Sequence, residues 1–161
     1  MKIIASLTLS LSFLLFAWSS ETDQDWSEYL GGPDRNHYSE LTQINPSNAK
    51  DLKVAWSYAL PDSGQMQANP IIIDGILYSV SASVQAFALD AATGKEIWRY
   101  KHDRRQDWNM CCGPANRGVA VGYGKVFIGT VDARLIALDA NSGKKLWDID
   151  AVDAAVITEG Q

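Results

Sequence analysis

Between residues 70 and 101 short apolar runs alternate with polar turns. ILYSVS (76–81) follows Asp74-Gly75, QAFALD (85–90) follows within four residues, and EIW (96–98) lies beyond a turn that ends at Gly94. Runs of this length, rich in Ile, Val, Tyr and Phe and punctuated by Gly-bearing turns, predict β-strands rather than helices. The same order of parts returns downstream. KVFIGT (125–130) follows a turn at Gly122 to Gly124, RLIALD (134–139) comes next, and a further turn leads to KLW.

The second passage is a copy of the first. ALDAATGKEIW (88–98) and ALDANSGKKLW (137–147) agree at seven of eleven positions, at an offset of 49 residues. In each copy Asp90 or Asp139 is suited to accept hydrogen bonds from amides two or three residues on, and Gly94 or Gly143 supplies positive φ where the chain reverses. The fourth strand then carries Trp98 or Trp147, where an indole packed between sheets buries roughly 150–250 Å². Trp56, in DLKVAWSY, stands 42 residues before Trp98 and is expected to mark the last strand of an earlier, incomplete unit. A period in the forties made of four short strands predicts an all-β chain, a β-propeller, with repeats at about 70–100 and 117–149.

The N-terminus has a different pattern. Lys2 precedes an apolar run of 15 residues, Ile3 to Ala17, and then small residues. That layout predicts a signal peptide over 1–20, leaving 21–161 as the mature part. The run is shorter than the roughly 20 residues that cross a bilayer as a helix, so an uncleaved anchor is the less favoured reading. Export to the periplasm permits disulfides. Without Lys2 the chain holds 13 basic against 19 acidic residues, net −6, which offers nucleic acid no electrostatic footprint.

Both cysteines stand side by side, in CCGPANRG (111–118). Together with the tryptophan repeat, this motif resembles the pyrroloquinoline-quinone (PQQ) dehydrogenases, eight-bladed propellers; the adjacent cysteines and Arg117 resemble their alcohol-oxidising branch. GGPDRNHYSELTQINPSNAKDLKVAWSY (31–58) is similar to their entry into the first blade. The resemblance runs from about Trp26 to the end of the chain.

It implies a site. Cys111 and Cys112 would form a disulfide lying against one face of the planar quinone. Neighbouring α-carbons lie about 3.8 Å apart, under the usual disulfide range of about 4.4–6.8 Å, so such a ring is strained and closes almost no chain loop. Two free buried thiols, or pairing with a cysteine elsewhere in a longer protein, remain the alternatives. Arg117 would supply a planar cation to the carboxylates and quinol oxygens; the alternative is a surface arginine beside Asp103 or Asp107. Gln67, in MQANP, stands where the family has a glutamate that hydrogen-bonds the cofactor, and Asn69 stands where it has threonine; an ordinary polar residue at a blade edge is the alternative.

The family's calcium ion, its aspartate base and the tryptophan on the other cofactor face come from later blades. No catalytic residue and no metal ligand is therefore expected within this chain, which reads as the first two to three blades of a longer protein. Implied partners are an alcohol or sugar substrate, a cytochrome c or quinone electron acceptor, and the remaining blades. A glucose dehydrogenase-like quinoprotein and a non-enzymatic scaffold built on the same repeat are the rival readings. His37 and His102 are expected to be solvated or capping, and Asp103, Arg104, Arg105 and Asp107 to form a solvated mixed-charge loop.

Overall fold

The computed structural model describes residues 25–105 and 116–152. Two four-stranded antiparallel sheets dominate it. The first contains β1 (Ile71–Ile73), β2 (Ile76–Val80), β3 (Gln85–Asp90) and β4 (Glu96–Lys101); the second contains β5 (Ala120–Gly122), β6 (Lys125–Gly129), β7 (Arg134–Asp139) and β8 (Lys145–Asp150). Each strand pairs with its neighbour in sequence, giving two copies of one meander. The copying extends to irregularities, since the register shifts at Ala88/Leu89 and again at Ala137/Leu138. The chain is a partial β-propeller, all β as the repeat predicted.

The turns explain the repeat. Asp90 Oδ1 accepts from the Thr93 amide at 2.8 Å and from its hydroxyl at 2.6 Å; Asp139 Oδ1 accepts from Ser142 at 2.9 and 2.7 Å. Gly94 and Gly143 have φ of +71° and +67°, but a second constraint is tighter. A Cβ on Gly94 would lie 2.5 Å from the Trp56 ring, and one on Gly143 would lie 2.5 Å from the Trp98 ring. Each indole N–H donates to the carbonyl after the turn aspartate, Trp56 to Ala91 at 3.1 Å and Trp98 to Ala140 at 2.8 Å. The tryptophan of one unit thus lies flat on the turn of the next, and only glycine leaves room for it.

Alternation places the core. On one face of the first sheet Tyr78, Val80, Ala86, Ala88 and Trp98 meet Val126, Ile128, Ile136 and Leu138 of the second. The opposite face, with Leu77, Phe87 and Leu89, is covered by the segment carrying Trp56, Tyr58 and Leu60. Tyr58 and Phe87 stack with centroids 5.3 Å apart. β3 is buried on both faces and reads accordingly as an unbroken apolar run. Among the described residues the far face of the second sheet has no such cover, and Trp147 is 36% exposed against 7% for Trp98.

Trp56 departs from expectation in one respect. It docks as the repeat predicts, yet residues 52–70 form no strand. A strand needs a partner for its backbone amides, and no strand among the described residues runs beside this segment. Farther upstream, Trp26 pairs with Ile72 through two backbone hydrogen bonds of 2.8 and 3.0 Å, occupying the free edge of β1.

Candidate functional site

The meander sends its connections to alternate ends of the sheets. One end carries the tight hairpins at Asp74-Gly75 and Tyr123-Gly124 and the tryptophan-bearing turns. At the other end lie the approach to β1, the β2–β3 and β6–β7 connections, and the two described ends of the β4–β5 connection. Gln67 and Arg117 both fall at this second end. Cys111 and Cys112 lie on the β4–β5 connection in sequence but outside the described residues.

The 49-residue repeat aligns the approach to β1 with the approach to β5. Gln67 corresponds to Asn116, Ala68 to Arg117 and Asn69 to Gly118. In space the two approaches meet. The Asn69 amide donates to the Arg117 carbonyl at 3.2 Å, and a Cβ on Gly118 would stand 3.1 Å from the Asn69 carbonyl oxygen. Gly118 also has φ of +138°, which side chains rarely adopt. Successive units therefore deliver residues of the same repeat position into one region, and the two described candidates belong to segments in direct contact.

Both side chains are exposed. Arg117 makes no ion pair among the described residues and lines the rim of a depression of about 600 Å³, with Tyr29, Asn116, Gly118, Phe127 and Leu135 also around it. Phe127 and Leu135 among them belong to the face of the second sheet that no described residue covers. Only the rim belongs to the site end. A guanidinium on a fixed backbone beside apolar surface suits a planar polycarboxylate, so the residues present fit one side of such a ligand. Among the described residues no cluster of three His, Cys, Asp or Glu side chains is arranged to hold a metal ion.

Two expectations about this end need correction. His102 is neither solvated nor a cap: it is 7% exposed, and its Nε2 lies 2.9 and 3.0 Å from the Asp132 carboxylate oxygens. The charged run that follows is not simply solvated either, since the Arg105 amide donates to Asp132 at 3.1 Å. Thr130 Oγ1 adds a third donor at 2.5 Å. Burial alone would raise the Asp132 carboxyl, but donation from Thr130, the Arg105 amide and His102 outweighs it and holds the value down at about 2.

Asp132 was missed because a lone aspartate in a turn reads as solvated. The repeat carried a signal, however. Asp132 aligns with Ser83, so the copy acquires a carboxylate where the original has a hydroxyl. In the first sheet the carboxylate arrives from outside instead: Asp62 Oδ2 accepts from the Ser81 hydroxyl at 2.5 Å and the Ser83 amide at 2.9 Å. Both connections are thus held by one buried or partly buried carboxylate, placed on opposite sides of the interface.

Comparison with known proteins agrees with this architecture. Residues 26–150 match the PQQ family described as the glucose/ethanol/alcohol dehydrogenase β-propeller domain, and the chain belongs to that family. It is 40% identical over 150 residues to the 1-butanol dehydrogenase (cytochrome c) of Thauera butanivorans, covering 91% of this chain and 22% of that protein. It is 43% identical over 125 residues to the quinohemoprotein alcohol dehydrogenase of Comamonas testosteroni, covering 76% of this chain and 18% of the relative. The crystal structure of the Comamonas enzyme superposes with a TM-score of 0.78 at 38% identity, over 83% of this chain and 20% of that one. A europium-containing methanol dehydrogenase superposes with a TM-score of 0.74 at 31% identity, over 80% of this chain and 23% of the other. The chain spans about a fifth of the length of these proteins.

Proposed function

We propose that this chain forms the first blades of an exported, PQQ- and calcium-dependent dehydrogenase that oxidises alcohols and passes electrons to a cytochrome c or a quinone. The observation that carries the reading is the hydrogen bond from Asn69 to the Arg117 carbonyl, which joins the segment of Gln67 to the segment of the cation at one end of the sheets. The activities for which the relatives are named, alcohol dehydrogenases linked to cytochrome c, haem or quinone, support the same assignment.

PQQ would supply a two-electron acceptor able to take a hydride from an alcohol carbon. The chain's own contribution is binding and charge. Arg117, a guanidinium anchored through its backbone, would balance the carboxylates and the charge that gathers on the quinone oxygens during reduction. Gln67 would add an uncharged hydrogen-bonding group where relatives of this type place a carboxylate, leaving the site one negative charge lighter. Cys111 and Cys112, as a vicinal disulfide, would form one apolar wall. Calcium, the proton-accepting aspartate, the substrate contacts and the remaining blades belong to the whole protein. The signal peptide over 1–20 would bring that protein to the periplasm.

The test is a chimera. Residues 25–150 replace the corresponding blades of the Comamonas enzyme, and alcohol-dependent dye reduction is measured after reconstitution with PQQ and calcium. The chimera is expected to be active, and Arg117→Ala to lower kcat/KM by about a hundredfold or more. A chimera indifferent to Arg117→Ala would overturn the assignment. For the cysteines, mass spectrometry of the unreduced chain should find the peptide spanning both lighter by two hydrogens; two alkylatable thiols would refute the bridge.

A further inference from the structure

We infer that Asn116 is a positioning residue for Arg117, an inference that rests on reading Arg117 as the cofactor's cation. Three observations carry it. First, the Asn116 side chain is fixed at both of its polar atoms: Nδ2 donates to the Gly129 carbonyl at 2.7 Å, and Oδ1 accepts from the Gly118 amide at 2.9 Å. The carboxamide therefore has one orientation, and it spans the residue between, which is Arg117. Second, the Arg117 carbonyl is taken by Asn69, so the backbone of Arg117 is held on one side by its neighbour's side chain and on the other by the adjoining sheet. Third, the anchor at Gly129 begins the same β6–β7 connection that holds His102 and the Arg105 amide through Asp132. Both described ends of the β4–β5 connection are thus tied to residues 129–132 of the second sheet.

The chemistry explains why asparagine suits the place. One side chain must donate to a carbonyl and accept from an amide at once. Aspartate would set a carboxylate against the Gly129 carbonyl, and alanine would leave both backbone groups without partners. A long, exposed arginine has many rotamers, so its usefulness as a cation at a defined point depends on a backbone that does not wander. Asn116 supplies that constraint through its two polar atoms, both of which are engaged by backbone groups. The repeat adds a contrast, since Gln67 stands at the same position in the preceding unit and is exposed, whereas Asn116 is turned to backbone support.

The experiment uses the 161-residue chain, ¹⁵N-labelled, with PQQ as the added probe. In Asn116→Ala the amides of Gly118 and Asn69 are expected to exchange with solvent about tenfold faster, while those of β3 and β7 hold their rates. In Asn116→Asp the Gly118 amide keeps its acceptor and its slow exchange, and only the Gly129 anchor is lost, so this variant tests the idea even where the alanine variant folds poorly. Binding of PQQ, followed by tryptophan fluorescence, should weaken about tenfold in Asn116→Ala and hardly further when Asn116→Ala is added to Arg117→Ala. Unchanged exchange at Gly118 and Asn69, or equal losses of binding with and without Arg117, would overturn the inference. If the wild type and Arg117→Ala treat PQQ alike, the reading of Arg117 as a cofactor contact fails, and the exchange rates still decide whether Asn116 holds its backbone.

Discussion

The two sheets are built from one repeat and end in different circumstances. In the first, both faces are covered, the tryptophan is buried, and β3 has no exposed apolar residue. In the second, β7 and β8 turn one face to the core and leave Trp147 and Ile149 half exposed on the other. The strand residues of ALDANSGKKLW, with Leu146 for Ile97 and the same tryptophan, are as suited to burial as those of ALDAATGKEIW. The difference is what stands beside it. Trp98 finds Gly143 and the Ala140 carbonyl, while Trp147 has no third turn to lie on among the described residues. In a structure of stacked units each unit's stability is largely an interface property, so similar sequences carry unequal energies.

Equal truncations should break that equality most visibly. Trp98→Ala is expected to lower unfolding free energy by about 3–5 kcal/mol, and Trp147→Ala by under about 1 kcal/mol, both read from urea denaturation of the chain. Similar losses would mean that the indole's worth is local to its strand.

A pair of glycines sharpens the point, because Gly143 and Gly124 have the same φ of +67°. Gly124→Ala adds only the left-handed backbone strain, about 1–2 kcal/mol, since nothing lies within 4 Å of its Cβ position. Gly143→Ala meets the Trp98 ring as well, and about 1–3 kcal/mol more is expected. If the two cost the same in thermal melts, the close fit of indole on turn is unimportant.

The carboxylate latches differ more modestly. Asp132 sits near 2 when folded against an ordinary value of 3.8, so its stabilisation is complete above about pH 4 and is lost as the pH falls through about 2. Asp132→Asn should lower stability by about 2 kcal/mol at neutral pH and flatten the acid limb of the melting temperature. Asp62 is also lowered: burial opposes the shift, and hydrogen bonds from Ser81 and Ser83 prevail, without a histidine partner. Asp62→Asn is expected to cost about 1 kcal/mol. Should it cost more than Asp132→Asn, the histidine adds nothing to the second latch.

Much of this was legible beforehand. Turn residues act over three or four positions, so Asp90, Thr93 and Gly94 announce their hairpin locally, and a second copy at fixed offset confirms the unit. The tryptophan's place between sheets followed from its recurrence. Local chemistry could not reveal that His102, beside an exposed Asp103, turns inward, because its partner Asp132 lies 30 residues away on the next sheet.

The order of strands and the meander thus follow from the chain's own pattern, since strand pairing between sequence neighbours is governed by short turns and alternation. Which tryptophan is buried, which aspartate is a latch, and that the segments of Gln67 and Arg117 touch were settled by packing between units. Those outcomes depend on contacts across an interface, where burial and hydrogen-bond partners come from residues distant in the chain and the identity of a side chain says little about its surroundings.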